Sequence, residues 1–81
     1  MSTKNVDSLS PAQCRAARAL LELTQSELAS KAGLGLSTIV DFERSRRSIS
    51  EDAIAALKKA LEKCGITFIS KNGGGPGVRL R

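Results

Sequence analysis

Two short helical stretches joined through Gly33-Leu34-Gly35 constrain this chain more than any other feature of it. Thr24 opens the first stretch. Its hydroxyl can take up a free N–H of the opening turn, and Glu27, three residues on, can answer it as the second half of a capping box. Leu28, Ala29 and Ala32 then fall on one face at helical spacing. Gly33 ends the helix, since a left-handed residue just past a helix end costs glycine least. The second stretch runs from about Leu36 to Arg44, with Ile39 and Phe42, three apart, as its inward pair. A turn this short sets two short helices at a steep angle, and the second can then protrude from whatever bundle holds them.

The flanks supply that bundle. Ser10-Pro11 is a helix start, a hydroxyl cap followed by proline at the first helical position. The stretch to Leu23 is made of strong helix formers and puts Cys14, Ala17, Arg18 and Leu21 on one face. An arginine on an apolar face needs a partner. Ser50 caps the last helix and precedes Glu51-Asp52, two acids where the helix dipole favours them. That helix reaches Lys63 or Cys64 on an apolar stripe of Ala53, Ile54, Leu57, Leu61 and Cys64, and Gly65 stops it. Ile66–Ile69 and Val78–Arg81 read as strands joined by a turn over Asn72–Gly77, an antiparallel hairpin. No Lys-Ser/Thr and no helix follow the glycines, so they are not a phosphate loop. The expected organisation is an arm over residues 1–9, a helical domain over 10–65 and a hairpin over 66–81 that could serve as a dimerisation element.

Composition narrows the function. The chain has 81 residues, enough for one domain. It has no histidine, and Cys14 and Cys64 stand fifty positions apart, so neither a general base of the usual kind nor a metal set is visible. We expect no enzyme, no metal and no cofactor. Phe42 and Phe68 are the only aromatics, poor equipment for stacking unpaired bases. No apolar run is long enough for a bilayer and no secretory leader is visible, so the expected place is the cytoplasm. The charge is uneven: residues 44–81 hold nine basic and three acidic side chains, while Ser10–Glu43 holds three and four. A basic half points to a polyanion.

The stretch from about Cys14 to Leu61 resembles the phage-repressor and Cro-type helix-turn-helix family, also called the XRE family. The residues that carry the resemblance are Arg18, Leu23-Thr24-Gln25, Glu27-Leu28-Ala29, Ala32-Gly33, Ser37-Thr38-Ile39, Glu43, and Leu57 with Leu61. It implies a mainly α fold, a lambda-repressor-like bundle of four helices, here with a short C-terminal β-hairpin added. It also implies that Arg18 and Glu43 form a structural ion pair. Gln25, with the free N–H groups of its helix end, would hold a DNA phosphate. Leu36, Ser37, Thr38, Val40 and Asp41 would face bases, with Leu36 on a thymine methyl and Asp41 accepting from cytosine N4. Leu36 and Asp41 depart from the commoner amide or basic residues of the family. Arg44, Arg46 and Arg47 would grip the backbone beside the groove.

The expected function is therefore sequence-specific binding of double-stranded DNA by a small transcriptional regulator, a repressor acting by occupancy, as a homodimer on a two-fold site. The alternative is an antitoxin-type protein whose main partner is a toxin protein, with Leu36, Val40 and the hairpin edge in protein contact.

Overall fold

A computed structural model of the chain describes residues 9–69 and 75–81. It contains four helices, α1 (Pro11–Leu21), α2 (Gln25–Ala32), α3 (Leu36–Glu43) and α4 (Glu51–Lys63), and two strands, β1 (Ile66–Ile69) and β2 (Gly77–Leu80). The mainly α fold with a C-terminal hairpin is the one expected from the sequence.

Each helix start follows from its cap. The Ser10 hydroxyl accepts from the Gln13 N–H at 3.1 Å, and Gln13 Oε1 accepts from the Ser10 N–H at 3.0 Å. Thr24 and Glu27 make the same reciprocal pair, at 3.0 and 2.8 Å. Ser50 caps α4 through the Ala53 N–H. The helix ends differ from expectation at one place. α1 stops at Leu21 rather than Leu23, because Glu22 turns left-handed (φ 57°) and the N–H groups of Glu22 and Leu23 return to the Ala19 and Arg18 carbonyls. Thr24 must cap α2 in extended conformation, and closing α1 early leaves the residues needed to reach it.

Residues 1–8 and 70–74 lie outside the described residues, and with them most of the expected arm and the first half of the Asn72–Gly77 turn. Leu9, placed in the arm by its sequence neighbours, is 3% exposed and belongs to the core. That core is continuous across all four helices and β1: Cys14 and Ala17 from α1, Leu28 from α2, Ile39 from α3, Leu57 and Leu61 from α4, and Ile66. Complete burial of each of the larger of these side chains contributes about 1.5–3 kcal/mol before entropy is counted.

The hairpin is antiparallel, with Ile66 opposite Leu80 and Phe68 opposite Val78. Its second strand begins at Gly77, one residue before the expected Val78. A lone two-stranded hairpin is marginal in water. Here β2 packs on α1 and β1 on α4, with Phe68 and Val78 against the core. Gln13 Nε2 donates to the Gly77 and Ile69 carbonyls, at 3.0 and 3.4 Å, so the residue that caps α1 also holds the outer end of the hairpin. Among the described residues no helix is long and apolar enough to cross a membrane.

Candidate nucleic-acid interface

The turn between α2 and α3 is tight for reasons its residues explain. Gly33 is left-handed (φ 71°), and the Leu34 N–H reaches back to the Ala29 carbonyl at 2.9 Å. Gly35 starts α3 without any side-chain cap. The first turn of α3 is therefore open: Leu36 is 48% exposed and Ser37 is exposed. Ile39 and Phe42 point into the core; Thr38, Val40 and Asp41 are half-buried, and Arg44 is exposed.

The other end of α3 is anchored. The Glu43 side chain is 1% exposed and accepts four hydrogen bonds. Arg18 gives two, Nε to Oε2 and Nη2 to Oε1, both at 2.8 Å. Gln25 Nε2 donates to Oε1 at 3.0 Å, and the Cys14 thiol donates to Oε2 at 3.2 Å. Arg18 Nη1 also reaches the Leu23 carbonyl at 3.0 Å, and Arg15 donates to the backbone carbonyl of Glu43. One carboxylate thus joins α1, α2 and α3. Burial works against its charge, but the hydrogen bonds from Arg18, Gln25 and Cys14 and the arginine's charge outweigh burial and hold its pKa below the ordinary glutamate value. The hydrogen bond to Glu43 raises the pKa of Arg18. Burial, then the hydrogen bond and the charge of Glu43, push the Cys14 thiol well up, so it sits there as a protonated donor.

Beyond α3 the chain reverses. Ser45 is left-handed (φ 57°), and the Arg46 N–H returns to the Asp41 carbonyl at 2.9 Å. This brings Arg47 alongside α3, where its Nε lies 2.9 Å from Asp41 Oδ2 in an open ion pair. Arg44 and Arg46 are exposed on the same connector.

The residues singled out from the sequence thus fall into two groups. Leu36, Ser37, Thr38 and Asp41 lie on α3, with Arg44, Arg46 and Arg47 following it. Gln25 lies with Arg18 and Glu43, its amide nitrogen on Glu43 at the start of α2. Sequence reasoning missed Cys14 and Arg15 as partners of Glu43, and Gln13 as the hairpin's clasp. For Cys14 a signal existed: it lies one turn before Arg18 on the same helix face. Among the described residues no group of three or more His, Cys, Asp or Glu side chains could hold a metal ion.

In comparison with known proteins, the profile of the Helix-turn-helix family matches residues 15–69, which takes in most of α1, the other three helices and the first strand. Comparison with curated proteins finds no match at a significant level.

Proposed function

From the premise that this chain belongs to the helix-turn-helix family of Cro- and XRE-type DNA-binding regulators, we propose that it reads a specific duplex DNA sequence with α3 in the major groove and represses by occupying that site. The observation that carries this reading is the contrast between the two ends of α3. Its C-terminal residue is fixed by four side-chain hydrogen bonds, while its first turn has neither a side-chain cap nor cover over Leu36 and Ser37. A helix held rigidly at one end and open at the other can enter a groove without reorganising.

The roles follow from chemistry. Leu36 meets a thymine methyl, Ser37 and Thr38 bond to bases or phosphates, and Asp41 accepts from cytosine N4. Arg44 and Arg46 take phosphates. Arg47 pairs with Asp41 in the free protein and shifts to the backbone on DNA. Gln25, oriented by Glu43, presents its amide beside the N–H groups that open α2. The cover that α1 and α4 give the hairpin supports a dimer that assembles on the DNA, two copies meeting a two-fold site with their α3 helices about 34 Å apart.

Selection of bound duplexes from a random pool at stated salt tests the reading. An enriched two-fold motif is expected, and a pool that stays random would overturn it. With Arg46→Ala and Arg47→Ala together, affinity for all sequences falls and the salt slope flattens by about one unit per lost phosphate contact. A second reading, an antitoxin-type protein whose main partner is a toxin, is favoured by one observation, the exposure of Leu36. Co-purification of an unrelated small protein, released by Leu36→Ser, decides for it.

A further inference from the structure

A helix leaves its last carbonyls without partners of its own, and each must be met from elsewhere. At the end of α3 the returning connector meets two of them. The Arg46 N–H reaches the Asp41 carbonyl at 2.9 Å, and the Ser45 N–H reaches that of Phe42 at 3.0 Å. The carbonyl of Glu43, the last helical residue, is met from a different helix, by Nη1 of Arg15 on α1. α3 has no basic side chain in its own last turn, so Arg15 also brings the positive charge that the negative end of a helix dipole favours.

That bond uses one of the five N–H donors of a guanidinium and leaves Arg15 exposed. It does not neutralise the charge. Around the end of α3 and the connector stand five arginines, Arg15, Arg18, Arg44, Arg46 and Arg47, against two acids, Asp41 and Glu43. Arg18 takes Glu43 and Arg47 takes Asp41. Among the described residues no acid is within ion-pair distance of Arg15. A cap alone asks only for a donor. A guanidinium with open N–H groups, no acid beside it and one edge already fixed is fitted to a phosphate, because less side-chain freedom is lost when the second partner arrives.

We infer that Arg15 is a DNA-backbone contact supplied by α1, one edge of its guanidinium holding the end of α3 and the other meeting a phosphate beside the connector. The inference rests on the reading of α3 as the groove helix. It ties the position of that helix to the backbone through a side chain outside the helix-turn-helix pair. The competing role, a cap and nothing more, gives the same geometry in the free protein. The two differ in salt dependence, since a phosphate contact releases counterions and a cap does not.

Salt titrations of the whole chain on the selected duplex and on a random one, for the parent, Arg15→Gln and Arg15→Lys, test this. Chemical denaturation of each protein accompanies them, and both variants should stay folded because Arg15 is exposed. Arg15→Gln should weaken binding to both duplexes by about tenfold at low salt and flatten the salt slope by about 0.9, with the selected motif unchanged. Arg15→Lys keeps the charge and should keep the slope. Lys59→Gln, which removes an exposed charge from α4, should leave the slope as in the parent. An unchanged slope in Arg15→Gln, even with weaker binding, would make Arg15 a cap alone and overturn the proposal. So would equal flattening by Lys59→Gln, which would reduce the effect to net charge, or a changed motif, which would make Arg15 a base contact. Arg46→Ala with Arg47→Ala keeps this inference apart from the reading it rests on. Flattening there beside an unchanged slope in Arg15→Gln sinks the role of Arg15 alone, whereas a parent that enriches no motif sinks both.

Discussion

Asp41 and Glu43 stand two residues apart on α3, and each meets an arginine at nearly the same distance, 2.9 Å to Arg47 and 2.8 Å to Arg18. Two positions on a helix point to different sides, so one pair faces outward and the other inward. The Glu43 side chain is 1% exposed and Arg18 22%, against 26% for Asp41 and 57% for Arg47. Distance therefore says little about what a pair does. The inner carboxylate has no water to return to, and its four hydrogen bonds tie α3 to α1 and α2. The outer one can exchange its arginine for solvent at little cost, which leaves that arginine available to something else.

Removing the inner acid breaks the comparison most sharply. Glu43→Ala strands Arg18 and unpairs Gln25 and the Cys14 thiol. Because Arg18 keeps some access to solvent, the loss is expected near the lower end of the range for broken buried pairs, about 3 kcal/mol by chemical denaturation. Arg18→Met combined with Glu43→Leu, which removes both charges, should cost much less than the sum of the single changes. Additive losses would show that the two residues do not act together. Acid tests the same pair. The folded pKa of Glu43 lies below its ordinary value, so its stabilisation is complete above that value, 4.5, and is lost as pH falls through the folded value. Glu43→Gln should therefore lose less stability than the parent between neutral pH and pH 3. Glu27 is also held low, by the Thr24 backbone and side-chain bonds, but it is present in both proteins and cancels.

The two regions also differ in how far the sequence reveals them. The helix starts at Ser10, Thr24 and Ser50 and the stops at Gly33 and Gly65 are local chemistry, written within three or four residues, and the hairpin follows from β-branched runs around glycines. The connector arginines can be read as a charge run. The inner cluster is written across the chain. Spacing puts Arg18 on an apolar face, but nothing in spacing points to a residue 25 positions on, and it is the family resemblance that suggests Glu43. Spacing puts Cys14 one turn before Arg18 on the same face but does not name Glu43 as its acceptor, and neither source points to Gln13 reaching 64 positions to Gly77. The end of α1 is hidden for another reason. A left-handed glutamate at Glu22 is uncommon, and only the need to turn into Thr24 imposes it. Leu9 reads as arm because its burial depends on the core that the helices build, not on its sequence neighbours.

Gln13 sharpens the comparison with a case in between, a buried but uncharged side chain (7% exposed) that ties two distant segments. Gln13→Ala removes the α1 cap partner and the clasp on the Ile69 and Gly77 carbonyls. The expected loss is about 1–2 kcal/mol, smaller than for Glu43 because no charge is stranded. Hydrogen exchange should quicken first in β1 and β2, since the helical core keeps its own contacts. Uniform quickening through α2 and α3 would mean that the hairpin and the helices open as one unit.

The smallest effect on stability is expected at the outer pair, where the consequence moves from folding to binding. Asp41→Asn keeps the shape of the side chain and removes its charge. An exposed pair of this kind contributes about 0–1 kcal/mol, so thermal unfolding should change little. Arg47, released from its acid, then has no competitor when a phosphate approaches, and α3 loses a negative charge that phosphates repel. Affinity for random duplex DNA should rise, and its salt dependence should steepen by up to about one unit for the added phosphate contact. The selected motif should also change, because an acceptor for cytosine N4 has become an amide suited to adenine. Salt titrations on random and selected duplexes separate these effects. A steeper slope with an unchanged motif would leave Asp41 as a brake on Arg47 alone, while an unchanged slope and motif would remove the pair from the interface. A fall in stability comparable to that of Glu43→Ala would show that the outer pair holds the fold as the inner one does.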